Sequence, residues 1–219
     1  MTAVSEAEPA AAVPGPPRGR RTIIVLVVAV LVVAAALTVW TQRSDKPASE
    51  GPEAGFARDM SVHHAQAVEM SFIVRDRTQD KPVRLLAYDI INTQRAQIGM
   101  MTAWLDGWGL PKTDPAGPMR WMGHGGHGGT SLPAGGSMPG MATPAQLAEL
   151  GKAPGRQAET LYLRLMIAHH RAGVAMAEAV LGRTGNAQVT RLARTMVEGQ
   201  QAEITLMEGM LTERGAPPV

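Results

Sequence analysis

The sequence predicts an all-α protein: a four-helix bundle built from two repeated helical hairpins and preceded by a single N-terminal membrane-spanning helix. Three observations lead there: an internal repeat that sets His63-His64 on His169-His170, apolar stripes with helical steps in both copies, and an uninterrupted apolar run near the N-terminus.

The chain has 219 residues and is 45% hydrophobic, enough to bury a core. It contains 14 methionines and no cysteine. Disulfides, thiolate zinc sites, cysteine nucleophiles and lipoprotein-type anchoring are thereby excluded, and any soft metal ligand must be Met or His. The net charge of +2 arises from Arg18, Arg20, Arg21 and Arg43 set against Glu6 and Glu8. From Ser44 onward acids and bases balance, so no nucleic-acid surface is predicted.

Residues 1–21 read as a disordered cytoplasmic leader, rich in Ala, Pro and Glu at its start. Residues 22–42 read as a transmembrane anchor, because the run Ile23 to Trp40 is uncharged and apolar but for Thr38 and follows three arginines. A span needs about 20 apolar residues, and arginines on the N-terminal flank favour a cytoplasmic N-terminus. A cleaved signal peptide is the competing reading. Its apolar region is usually about 7–15 residues long, and Ala34-Ala35-Ala36 is a weak cleavage signal. The expected location is therefore the cell membrane, single-pass, with the bundle extracytoplasmic; secretion after cleavage is the alternative.

Residues 43–54 form a polar tether, residues 55–214 the bundle, and residues 215–219 a tail. Within the bundle, Asp80 ahead of Pro82 marks the start of a second helix and Gly109 before Pro111 its end. The crossover 110–142 is too rich in Gly and Pro to be helical. Thr143-Pro144 caps a short helix, a long one follows from about Arg156 to Arg183, and a last one runs from about Ala187 to Arg214.

The repeat superposes Met60 on Met166, Met70 on Met176, Gln94 on Gln200, Met101 on Met207 and Gly109 on Gly215 without a gap. The first helix carries the stripe Phe56, Met60, His63, Ala67, Met70, Val74, and the third repeats it as Tyr162, Met166, His169, Gly173, Met176, Val180. One histidine of each pair thus lies on the core stripe, and His64 and His170 flank it. An antiparallel hairpin turning near Gln79 places His63 opposite Gln94 and Met60 opposite Gln97; the repeat places His169 opposite Gln200 and Met166 opposite Glu203. The polar residues are expected in one layer at the end of the bundle opposite the hairpin turns, with His63 and His169 facing one another or a common cavity.

The bland account of these residues is a set of satisfied His–Gln core pairs that fix helix register. Duplication of the pairs, their methionine flanks, and the small Ala67 or Gly173 one turn later argue instead for a ligand site. Imidazole and thioether donors suit copper, Cu(I) above all, while inclusion of Glu203 would admit Cu(II), zinc or another transition metal. The predicted metal ligands are His63, His64, His169, His170, Met60, Met166 and Glu203, with Gln94 and Gln200 behind them. Met119, Met122, His124, His127, Met138 and Met141 in the crossover form a weaker second set. Met70, Met101, Met176 and Met207 are read as core filling. No Glu is followed by His three residues later, so the di-iron bundle motif is missing, and no Gly-x-Ser-x-Gly elbow occurs; no catalytic residue is predicted.

The segments FARDMSVHHAQAVEMS and LYLRLMIAHHRAGVAMAE, each followed by a Gln-containing helix (QRAQIGMMTAWLDGWG and QQAEITLMEGMLTERG), resemble the domain-of-unknown-function family 305 over about residues 52–214. MPGMATPAQLAEL is similar to that family's mid-chain segment. The resemblance implies a ferritin-like four-helix bundle, exported or membrane-anchored, with no settled activity. Ser61-Val62 stands where the family more often has Ile-Pro, and Gln97 where a Glu is usual, which implies a weaker ligand set in the first half.

The resulting expectation is a membrane-anchored, extracytoplasmic, non-enzymatic protein that binds copper for sequestration or delivery. The rival is a structural or protein-interaction bundle with internally hydrogen-bonded histidines, and a third reading is a ferritin-like oxidoreductase. The partners expected are a metal ion and the membrane, not nucleic acid; homo-oligomerisation stays open.

Overall fold

The computed structural model describes residue 23 and residues 25–35, 46–122 and 137–219. The chain divides into two compact units, Met1–Lys46 and Pro47–Val219. In the first, Ile23 and residues 25–35 are helical with exposed side chains. Among the described residues no helix is long and apolar enough to cross a membrane, so the span expected at 22–42 is not supported: only about half of it falls inside the described helix.

The second unit contains α1 (Pro52–Arg77), α2 (Lys81–Trp108), a 3-10 turn (Arg120–Met122), α3 (Pro144–Lys152), α4 (Gly155–Leu181) and α5 (Ala187–Glu213). The described residues form helices and no strands.

Local chemistry sets the boundaries. α1 begins at Pro52, which needs no N–H partner in the first turn, with Glu53 beside it to complement the helix dipole. It therefore starts a little before the expected bundle boundary at 55. Asp80 caps α2 by accepting the Val83 N–H at 2.9 Å, and Asn186 caps α5 by accepting those of Gln188 and Val189. Thr143 and Gln146 close a capping box on α3. Gly109 and Gly215, equivalent in the repeat, both adopt the left-handed conformation with φ of 63° just beyond α2 and α5.

α1 packs on α2 and α4 on α5 as the two hairpins, and the hairpins meet through α1 and α4. Two contacts fix that meeting as antiparallel. Thr184, in the turn between α4 and α5, donates to Glu53 at the start of α1 at 2.8 Å. Thr78, in the turn between α1 and α2, donates to Glu159 near the start of α4 at 2.5 Å. The same two residue types, exchanged between halves, thus close both ends, and Arg214 adds ion pairs to Glu159 at 2.9 Å and Asp80 at 3.0 Å.

The antiparallel arrangement corrects one expectation. The hairpin turns lie at opposite ends, so no end lies opposite both, and the only level shared by both histidine pairs is the middle. The core accordingly splits in two. One apolar cluster holds Met70, Val74, Leu86, Tyr162, Met166, Met207 and Leu211. The other holds Phe56, Met60, Met101, Leu105, Met176, Val180 and Met196. His63, His64, Gln94, His169, His170 and Gln200 belong to neither cluster, and along every helix they fall between the two.

Candidate metal centre

α1 and α4 each contribute one adjacent histidine pair, and all four imidazoles are completely buried. The rings of His63 and His169 stack with centroids 3.6 Å apart and planes at 29°. The rings of His169 and His170 lie 6.2 Å apart. The two core-stripe histidines therefore face each other across the seam between the hairpins.

Each ring uses Nε2 for a hydrogen bond to an oxygen. His64 donates to Gln97 Oε1 at 2.7 Å, and His170 donates to Glu203 Oε2 at 2.6 Å. His169 donates to the His63 carbonyl at 2.8 Å, and His63 to the Pro139 carbonyl at 3.3 Å. Because carbonyl and carboxylate oxygens only accept, every ring carries a proton on Nε2, and in a neutral ring Nδ1 is then a bare lone pair. None of the four Nδ1 atoms has a hydrogen-bond partner, although all are buried. The Gln94 Oε1 atom and both polar atoms of the Gln200 amide are likewise buried and unpartnered. Unpaired buried polar atoms are rare and costly, and here they gather in a single layer.

Burial holds His63, His64 and His169 neutral, the form that binds metals. Desolvation pulls His63 down to about 4 and His64 to about 3; the Pro139 carbonyl opposes the first shift, and neighbouring His63 reinforces the second. His169 is pushed well below the usual histidine value, by burial first and then by the other three histidines.

The expected pairing of His63 with Gln94 and of His169 with Gln200 is replaced. The polar partners are Gln97 and Glu203, and they serve the flanking histidines. The space expected beside Gly173 is also taken: a Cβ there would run into the Gln200 amide oxygen. Met60 and Met166 are fully buried one helical turn before His63 and His169. The Glu203 side chain is 24% exposed, so it forms the outer edge of the layer.

In the crossover set, Met138 is buried, and Met119, Met122 and Met141 are half-buried against the cluster around Phe56. His124 and His127 lie outside the described residues.

Among the described residues no three His, Asp or Glu side chains stand together as a ready metal site. What the layer does offer is buried, unpartnered imidazole nitrogens, with Met60 in one flanking cluster and Met166 in the other, donor types that suit a soft ion better than a hard one. A groove of 1040 Å³ between α3 and α4, lined among others by Lys152, Arg156 and Arg164, does not include the layer.

Two residues that anchor the crossover were not foreseen. Asp59 accepts from the Met119 N–H and from Trp121 Nε1, both at 2.8 Å, and burial raises its pKa. Gln66 grips Ala142 twice, donating to its carbonyl at 2.9 Å and accepting its N–H at 2.7 Å. The repeat held the signal: the counterparts of Asp59 and Gln66 are the apolar Leu165 and Ala172.

The family profile described as "Domain of unknown function (DUF305)" matches residues 53–211. The chain belongs to the DUF305 family. A DUF305 protein of Streptomyces coelicolor, described as secreted, has 54% identity and a TM-score of 0.71, covering 78% of this chain and 99% of that one. A DUF305 fragment from Deinococcus radiodurans has 38% identity and a TM-score of 0.60, covering 74% and 96%. CopM in its Cu(I)-bound form shares the fold at 22% identity and a TM-score of 0.55, covering 74% and 96%. No match was found among curated proteins. The DUF305 match includes both histidine pairs and both crossover anchors.

Proposed function

We propose that this DUF305 chain is an extracytoplasmic metal-binding protein that sequesters or delivers copper. The observation that carries the metal reading is the set of four buried, unpartnered Nδ1 atoms whose rings are all locked through Nε2. A bundle stabilised only by histidine hydrogen bonds accounts for the Nε2 atoms and leaves every Nδ1 without a role.

His63 and His169 hold the centre in this reading, His64 and His170 flank it, and Met60 and Met166 supply soft donors. Glu203 contributes charge at one edge only, because its counterpart is the neutral Gln97. The CopM structures with Cu(I) and Cu(II) support copper by likeness of fold alone. The extracytoplasmic placement is supported by the Streptomyces relative and by the arginine-flanked apolar run.

Calorimetric titration of the full chain with Cu(I), Cu(II) and Zn(II), beside a variant with His63, His64, His169 and His170 all changed to Ala, tests the proposal. The wild type should bind Cu(I) well below micromolar Kd and the variant should not. Wild-type binding no tighter than micromolar for every ion would overturn it.

A further inference from the structure

The segment from Ser137 to Ala142 crosses α4 as a strap with no room to spare. Gly140 has φ of 75°, and a Cβ on it would lie 2.5 Å from Ala172 Cβ and 2.6 Å from the Ala168 carbonyl oxygen. Its α-carbon therefore rides directly on the turn of α4 that carries His169. One residue earlier, the Pro139 carbonyl accepts the His63 Nε2 proton. On either side, Met138 and Met141 line a cleft of 310 Å³ that also includes Asp59 and Val62. The strap thus stands between this cleft and the histidine layer.

What holds the strap is Gln66. Its amide meets both backbone polar atoms of Ala142, a two-point clamp that only a side chain with one donor and one acceptor can make. Gln66 lies about one helical turn beyond His63 on α1, so the clamp and the histidine it serves are fixed on one rigid element.

We infer that Gln66 is a positioning residue for the histidine layer: by clamping Ala142 it holds the Pro139 carbonyl on His63 Nε2, which leaves Nδ1 as the metal-facing nitrogen, and it keeps the strap closed over the layer. The metal clause rests on the function proposed above; the clamp and the tautomer do not. Asp59 acts similarly on the far side of the crossover, but its partners Met119 and Trp121 touch no histidine in the described hydrogen bonds. Gln66 is the anchor whose chain of contacts reaches the site.

The test compares full-length wild type with Gln66→Met, which keeps the volume and removes both hydrogen bonds, and with Gln66→Ala. Long-range 1H–15N correlation spectra of the apo protein report the His63 tautomer. Hydrogen exchange reports the Ala142 amide, and stopped-flow mixing with Ag(I), a redox-inert stand-in for Cu(I), reports uptake. In wild type, His63 carries its proton on Nε2. In Gln66→Met a second tautomer appears at His63 and not at His170, Ala142 exchanges faster, and Ag(I) uptake accelerates about tenfold, the scale set by two lost hydrogen bonds. A Gln66→Met protein with the wild-type tautomer and exchange rate would overturn the inference, because Gln66 would then act by filling space. If wild type takes up no Ag(I) while the tautomer still shifts in the variant, the metal function fails and the clamp stands.

Discussion

His169 donates from Nε2 to the backbone carbonyl of His63 while its ring lies 3.6 Å from the His63 ring, so one residue of the second hairpin reads both the main chain and the side chain of its repeat counterpart. The contact joins the hairpins at mid-bundle, where the two apolar clusters leave off.

Replacing His169 with Ala removes a buried ring and a buried hydrogen bond together. Apo stability should fall by about 2–4 kcal/mol in urea unfolding, and Cu(I) affinity by at least about tenfold. An unchanged unfolding midpoint would show that the stack contributes nothing to the seam.

Acid should destabilise the apo protein. In the unfolded chain a histidine titrates near 6.5, whereas His63 and His64 in the fold titrate near 4 and 3. Between those values the unfolded state binds more protons, so stability is fully present above about pH 6.5 and is lost as pH falls, by up to about 1.4 kcal/mol per pH unit for each such histidine. Urea midpoints measured across that interval should decline.

Charge distinguishes the halves of the layer. Glu203→Gln keeps an acceptor for His170 and removes the anion, so Cu(II) and Zn(II) binding should weaken about tenfold while Cu(I) changes less. Gln97→Glu should shift the balance the other way. Calorimetry with each ion separates these outcomes, and equal effects on Cu(I) and Cu(II) would count against a layer in which Glu203 supplies charge.

Three glycines should respond differently to Ala. Gly140→Ala meets backbone and a left-handed φ, and should cost about 2–3 kcal/mol. Gly173→Ala must displace the Gln200 amide, at about 1–2 kcal/mol. Gly99→Ala in α2 meets no atom within 4 Å and should stabilise by about 0.5–1 kcal/mol. Thermal unfolding of the three variants ranks them.

The repeat made most of the fold legible. It fixed the hairpins, and the caps at Asp80, Thr143 and Asn186 stood at their helix starts. The hydrogen-bond register was not legible from level-matching, for a geometric reason. A helical side chain leans toward its own N-terminus, so across an antiparallel pair the residues that touch lie further along both chains than those at equal height. The lean carries His64 to Gln97 and His170 to Glu203, one turn past Gln94 and Gln200. Gln66 and Asp59 stayed hidden because each serves a loop distant in sequence, and no periodicity marks such a partner. Only the mismatch with Ala172 and Leu165 betrays them.

The exchange of Thr78 to Glu159 and Thr184 to Glu53 has a consequence for assembly. Each hairpin carries one threonine in its turn and one glutamate at its entrance, and neither satisfies its own. Two copies of a single half would present complementary ends to each other and could close as a twofold homodimer, with the histidine seam on the axis. The crossover then works as a tether that turns a bimolecular association into an intramolecular one and sets the local concentration of one half around the other. Freed from exact symmetry by that link, the two halves can diverge, and Gln97 against Glu203, Gln66 against Ala172 and Asp59 against Leu165 are among the places where this chain has done so.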